Sequence, residues 1–337
     1  MDLNMIWFLL VGILIIGYAV LDGFDLGVGI IHLFTKDEAE KRVNLNAIGP
    51  VWDGNEVWLL TGGGALFAAF PMVYATVFSG FYIAFMLLLT ALIFRAVSFE
   101  FRKYSEEKNK KYWDIAFGLG SLIPALLYGV AIGNILRGLP IDVKGTYSGT
   151  FLGLLNPYAL VVGAVSLSML VMHGAIYMTL KCEGPQKEKM VKRATNSWIT
   201  FVLLYLIATF MTIFSGKWLF DSVLGFPIFW VLFVMLLASI IYIPIGLKSG
   251  KSGNTFTASS LMISSMILLM ALSLFPKLVP SSTDLSYSLT IYNASSTPRT
   301  LETMLIIALI GVPIVLGYTI WIYRIFKGKV VINKDSY

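Results

Sequence analysis

The sequence predicts an all-α integral membrane protein of nine transmembrane helices, with the N-terminus outside and the C-terminus in the cytoplasm. Three observations carry this. Hydrophobic residues make up 57% of the 337-residue chain and charged ones only 13%, at a mean hydropathy of +0.80, which leaves too little polar surface to cover a soluble globule. Stretches of 18 or more largely apolar residues recur, each long enough to cross a hydrocarbon core of about 30 Å as a helix that satisfies its own backbone. Finally, 20 of the 25 basic residues fall in alternate connections, and that bias marks the cytoplasmic side.

Within a single polytopic domain, 1–337, the spans read as 5–33, 52–70, 75–98, 113–136, 155–180, 197–215, 224–246, 257–275 and 303–326. Eight helices plus one fit two four-helix bundles and a peripheral helix. The first span is expected to stay in place, because "MDLNMIW" lacks a basic leader and no small-residue cleavage site follows it. In the second span, "TGGGALFAA" at 61–69 has no Gly-Lys-Ser/Thr after it, so small residues for close helix packing are a better reading than a phosphate loop. The basic connections are 34–51, 95–112, 181–196, 247–256 and the tail after Tyr323. The longest outer connection, 276–302, is rich in Ser, Thr and Pro yet keeps apolar pairs, and is expected to be ordered; its "NAS" at Asn293 is a chance sequon in a Ser-rich loop.

Composition also removes several function classes. A lone cysteine, Cys182, excludes an internal disulfide, a thiolate zinc site and an iron–sulfur cluster held by this chain alone. Only His32 and His173 could offer imidazole to a haem or metal. His32 reads as a helix-end or headgroup residue and His173 as a satisfied interior histidine. The net charge of +6 lies in short loops and reports topology rather than nucleic-acid binding.

Against this apolar background "GYAVLDGFDLGVGI" places Asp22 and Asp25 inside the first span. An aspartate at mid-membrane costs about 2.5–3.5 kcal/mol, so such residues face protein or water. Three apart on a helix, the two share a face, and His32 continues it within an arc of about 80°. Asp25 sits about 12 Å from the inner end of the span at 1.5 Å per residue. Gly17, Gly23, Gly27 and Gly29 line the same region, and Gly23 with Gly27 form a Gly-x-x-x-Gly pair suited to close helix contact.

A second cluster, "PVWDGNEVWLL" at 50–60, holds Asp53, Asn55 and Glu56. Two readings stand. Asp53 as N-cap with Glu56 three residues on makes a capping box that needs no function. Alternatively Asp22, Asp25, Asp53 and Glu56 form one acidic entry on the cytoplasmic side, suited to proton transfer. Trp52 and Trp58 read as interface anchors or packing. Acidic, Gly-broken helices also suit a stand-alone secondary transporter or ion channel.

At these residues the sequence resembles subunit II of the cytochrome bd-type quinol oxidases. The matching segments are "GYAVLDGFDLGVGI", "IGPVWDGNEVWLLTGGGALFAAFPMVYATVFSGFY", "FRAVSFEFR", "WDIAFGLGSLIPALLYGVAIGNILRGLP", "LLNPYAL" and "FPKLVPSS". The resemblance implies a respiratory complex of the bacterial or archaeal cytoplasmic membrane that passes quinol electrons to dioxygen, forming water. It implies that the haems, two b-type and one d-type, and the quinol site belong to subunit I, that this chain holds no haem ligand, and that a small single-helix subunit is often present. It also implies nine helices in pseudosymmetric pairing with subunit I. By the same resemblance Asp53 lies on a cytoplasmic proton route, Asp25 is a deeper acid near it, Asp22 a weaker match, and Glu56 stands where some relatives carry an amide. The apolar, Trp-lined helices would give dioxygen a path from the lipid.

Overall fold

Hydropathy alone locates most of the helices in the computed structural model, which describes residues 2–216, 218–221 and 223–332. Eight helices among the described residues are long and apolar enough to cross a membrane. They are α1 (Leu3–Leu33), α5 (Tyr82–Tyr104), α6 (Glu107–Arg137), α7 (Pro157–Lys181), α8 (Gly184–Ser215), α10 (Pro227–Lys248), α11 (Ser252–Leu274) and α12 (Pro298–Ile325). The rest are α2 (Glu38–Ile48), α3 (Trp52–Ala69), α4 (Pro71–Gly80) and the single turn α9 (Trp218–Asp221). Lys217 and Lys334, both in the count of basic residues, lie outside the described residues.

The differences from the sequence reading have local causes. The stretch 75–98 is not one helix: α3 and α4 meet at 119°, α4 ends at Gly80, and the membrane helix starts at Tyr82. Pro71 forces the first break, because it lacks an N–H for the α3 ladder and pushes Phe70 out of the helical region, to φ −132° and ψ 64°. At the first position of α4 the same proline is well placed. Helix α8 begins at Gly184 rather than 197, since its lead, with Lys187, Lys189, Lys192 and Arg193, is too polar for a hydropathy window to include. The sequence reading takes 34–51 only as a connection, whereas the Asp37 side chain accepts from Glu40 N at 2.9 Å and opens the short polar helix α2.

Helix α1 is the centre of the packing. Its C-terminal half, Asp22 to His32, is buried without interruption, enclosed by α3, α6, α7 and α11. Gly27 makes this possible: a Cβ there would lie 2.0 Å from the Leu170 carbonyl oxygen and 3.0 Å from Gly174 Cα, so α1 and α7 touch backbone to backbone, as the Gly-x-x-x-Gly pair leads one to expect. Gly27→Ala should therefore destabilise the protein by about 1–3 kcal/mol through overpacking. Thermal unfolding of the purified protein reads this, and an unchanged midpoint would refute the close contact.

The 276–302 connection is ordered. Strands β1 (Lys277–Val279) and β2 (Leu289–Thr290) pair antiparallel, and Leu139 exchanges backbone hydrogen bonds of 2.9 Å with Pro280 and Ser282. The Asn293 amide is committed to the turn, accepting from Thr290 N and donating to Ser288 O. Helix α12 buries only Leu301 among its described residues. It is tied to the rest near its ends, where Trp7 Nε1 donates to Leu301 O at 2.9 Å and Lys181 Nζ to Phe326 O at 2.6 Å.

Candidate functional site

The two carboxyl groups of α1 sit in a network with groups from three other helices, α3, α5 and α12. Asp22 is fully buried and takes a two-pronged hydrogen bond from Arg95 of α5, Nη2 to Oδ1 at 2.7 Å and Nη1 to Oδ2 at 3.1 Å. Arg95 is only 1% exposed. Its guanidinium lies 4.0 Å from Glu56 Oε2 and 5.9 Å from the centroid of the Trp52 ring, both on α3. Paired planar geometry of this kind is what arginine supplies and lysine does not.

Asp25, one turn further along α1, is fully buried too. Its Oδ2 accepts from Asn55 Nδ2 at 2.7 Å, while Oδ1 has no partner. Asn55 also donates to Leu21 O at 3.3 Å and accepts from the Tyr323 hydroxyl of α12 at 2.8 Å. One guanidinium thus stands among three carboxyl groups, Asp22, Asp25 and Glu56. Asp22 holds the direct pairing with it, and Oδ1 of Asp25 is left buried without a hydrogen-bond partner.

Of the four acids singled out in the sequence, three converge and one does not. Asp22, Asp25 and Glu56 surround Arg95, whereas Asp53 is exposed in the first turn of α3. The capping-box reading is overturned: Val51 is the N-cap of α3 and no side chain bonds its first turn. Asp53 cannot cap because it already lies inside the helix.

Tyr18, one turn before Asp22 on α1, borders a large apolar cavity. The Tyr18 and Tyr128 hydroxyls are 2.8 Å apart, and both rings border a space of about 550 Å³ enclosed mainly by α1, α3, α6, α7, α8 and α11.

Both histidines are buried and hydrogen-bonded through at least one ring nitrogen. His173 Nδ1 meets Ser259 Oγ at 2.7 Å and Nε2 meets Val20 O at 3.0 Å, so it is the satisfied interior histidine expected of it. His32 is not a headgroup residue: it is fully buried, with Nε2 2.6 Å from Asp114 Oδ1. Asp114 also accepts from Lys41 Nζ at 2.6 Å and Arg102 Nε at 2.5 Å, and Arg102 bonds Glu38 at 2.8 Å. Proximity in space to charged groups far along the chain explains its burial, and hydropathy around His32 carries no trace of them. No group of three or more His, Cys, Asp or Glu side chains among the described residues could hold a metal ion. Both ring nitrogens of His173 are occupied, whereas Nδ1 of the buried His32 has no partner among the described residues.

Sequence reasoning missed Arg95, which it assigned to the edge of the 95–112 connection, and Tyr323. A signal for Arg95 was available: an arginine inside "ALIFRAVSF" is a charge flanked by apolar residues on both sides, the same mark that exposed the aspartates. Tyr323 carries none, because a tyrosine near a helix end reads as a membrane-interface residue.

Comparison with known proteins agrees over nearly the whole chain. The model of the cytochrome bd terminal oxidase subunit II family matches residues 3–326. The chain is 38% identical to cytochrome bd-I ubiquinol oxidase subunit 2 of Escherichia coli K12 over 367 residues, covering 97% of this chain and 95% of that protein. It is 36% identical to cytochrome bd ubiquinol oxidase subunit 2 of Bacillus subtilis over 332 residues, covering 98% and 97%. The fold is similar to a chain of the bd oxidase from Geobacillus thermodenitrificans, with a TM-score of 0.80 at 16% identity over 97% of this chain and 99% of that one. The chain belongs to the cytochrome bd terminal oxidase subunit II family.

Proposed function

We propose that this chain is the proton-access subunit of a terminal quinol oxidase, carrying protons from the cytoplasmic side to an oxygen-reducing partner. The oxidase assignment follows from family membership, and subunit 2 of such an enzyme implies a subunit I. That partner holds the haems, b-type and d-type, and oxidises quinol. The stand-alone transporter reading finds no support beside that membership. The haems and the redox steps are assigned to that partner, and none to this chain.

The arrangement we favour counts the bent pair α3 and α4 as one span, for nine in all, grouped as two four-helix bundles with α12 peripheral. The basic connections, with α2 and the lead of α8, face the cytoplasm of a bacterial or archaeal cell membrane. The exposed stripe Asp53, Val57, Leu60, Gly64 and Phe67 recurs at helical spacing along α3, and a Cβ at Gly54, Gly63 or Gly64 would meet nothing within 4 Å. Such a face suits a tightly packed helix of subunit I. Protons then enter at Asp53, between the two chains, pass Glu56 and reach Asp25, while Asp22 holds Arg95 in place. A small single-helix subunit would pack elsewhere, and the 550 Å³ cavity offers dioxygen a route from the lipid.

The single observation that carries the proton reading is the unpartnered, fully buried Oδ1 of Asp25 beside a cluster with more carboxyl groups than cations. Its test begins with the complex purified through a tag on this chain, recording the reduced-minus-oxidised spectrum and quinol-driven oxygen uptake. Haem bands with oxygen uptake are expected, and a colourless, partnerless chain would refute the oxidase reading. In the same preparation Asp53→Asn should slow turnover per haem by about tenfold, the lower end of what a focusing charge contributes, at unchanged haem content. Unchanged turnover would remove Asp53 from the route.

A further inference from the structure

We infer that Tyr323, near the inner end of α12, is a positioning residue that decides which oxygen of Asp25 carries the exchangeable proton. The inference rests on the reading of Asp25 as a proton carrier and goes beyond it, because nothing in that reading involves the last helix.

The argument is an inventory of donors and acceptors around Asn55. A side-chain amide has one acceptor oxygen and one donor nitrogen with two hydrogens. Here Oδ1 accepts from the Tyr323 hydroxyl at 2.8 Å, and Nδ2 donates to Asp25 Oδ2 at 2.7 Å and to Leu21 O at 3.3 Å. Turning the amide over would set its oxygen against the Leu21 carbonyl and the Asp25 carboxylate, both acceptors. The Tyr323 hydroxyl could still accept from the turned nitrogen, but the bonds to Leu21 O and to an ionised Asp25 would both be lost. With Asn55 fixed this way round, Oδ2 of Asp25 receives an N–H and is a poor place for a proton. Oδ1, which has no partner, is where a proton attaches and from which it leaves without first breaking a hydrogen bond.

Removing the hydroxyl changes that choice. Without the hydroxyl Asn55 Oδ1 has no donor, the amide is held at its nitrogen end alone, and it can swing away from Asp25, so that Oδ2 no longer differs from Oδ1 as a place for the proton. The proton then divides between the two oxygens instead of residing on the open one, and its release slows. Tyr323 is built to prevent this, because the chain just beyond it is clamped. Lys181 Nζ donates to Phe326 O at 2.6 Å, Val330 N donates to Lys181 O at 2.9 Å, and Lys329 Nζ bonds Thr179 O at 3.3 Å and Cys182 O at 3.0 Å. On its other side Tyr323 borders a cavity of about 320 Å³ between the inner ends of α2, α7 and α12, lined also by Asn46, Lys181 and Lys327. The phenol therefore stands between a polar space and the buried acid, on a helix that is otherwise largely unburied.

The test uses the assembled oxidase carrying Tyr323→Phe, with Asp25→Asn as the control. Three quantities are read on each: kcat and KM for quinol in oxygen uptake per haem, haem content, and the redox-driven infrared difference spectrum, where the Asp25 carboxyl band is identified by its loss in Asp25→Asn. The expected result for Tyr323→Phe is a kcat lower by about fivefold, the scale of one hydrogen bond, with KM and haem content unchanged and the Asp25 carboxyl band displaced. A purely structural role would lower haem content without moving that band, and this outcome overturns the inference. If Asp25→Asn slows turnover while Tyr323→Phe moves neither kcat nor the band, the positioning role is wrong and the proton reading stands. If Asp25→Asn leaves turnover intact, the proton reading itself is wrong and the inference falls with it.

Discussion

Replacing Arg95 by Met should be the most damaging single change to the stability of this chain. Arg95 is 1% exposed and pairs through both Nη atoms with a fully buried Asp22. Removing one member of a buried pair leaves the other without compensation, at a cost of about 3–5 kcal/mol. The cost is steeper here because Asp25 and Glu56 lie near the same guanidinium. The yield of haem-containing complex and its thermal midpoint should both fall. Arg95→Met with Asp22→Asn removes both charges and should recover much of the loss, since a buried ion pair exchanged for neutral groups of similar size is often neutral in stability. Arg95→Lys should fall between, because an ammonium cannot span both carboxylate oxygens in plane. An Arg95→Met complex as stable as the parent would mean that the pair holds nothing together.

That pair also marks the boundary of what the sequence discloses. Asp22 and Asp25 stand out because an acid inside an apolar run has few explanations in lipid. Their partners are harder to find, since they come from α3, α5 and α12, and pairing across helices depends on rotations that hydropathy does not encode. Asp53 and Glu56 are three apart and share a face by sequence, yet Glu56 turns inward to Arg95 while Asp53 remains exposed. Between the two acids, Asn55 is aimed at α1 and bonds Asp25 there, and Trp58 one turn on packs against Gly17 of the same helix. Helix limits follow the same logic. Composition found the apolar cores of the spans, but the Pro71 break and the polar extension of α8 belong to backbone hydrogen bonding, which continues or stops without regard to hydropathy. Gly27 lies between these cases: the Gly-x-x-x-Gly pattern announces a close contact, and only the fold identifies α7 as the partner.

Asp25→Asn should produce the largest loss of turnover with the least loss of structure. The substituted amide keeps the size of the carboxyl group, and its oxygen can still accept from Asn55 Nδ2. The helix contact of α1 with α7 through Gly27 is untouched, so haem content should stay near that of the parent. What disappears is the group able to take and release a proton at Oδ1. A positioned acid or base contributes about 10²–10⁴-fold to a proton-transfer step. Oxygen uptake per haem should therefore fall by at least about tenfold even if another step limits the parent enzyme. Asp25→Glu is the informative companion. It keeps the ionisable group but moves it by one methylene in a site with no exposed surface, so it should retain more turnover than Asp25→Asn and less stability. Turnover that tracks the charge, and stability that tracks the size, separates proton carriage from packing at one position. Equal turnover in Asp25→Asn and the parent would leave the buried acid as a structural partner of Asn55 alone, and the proton route would have to run through subunit I.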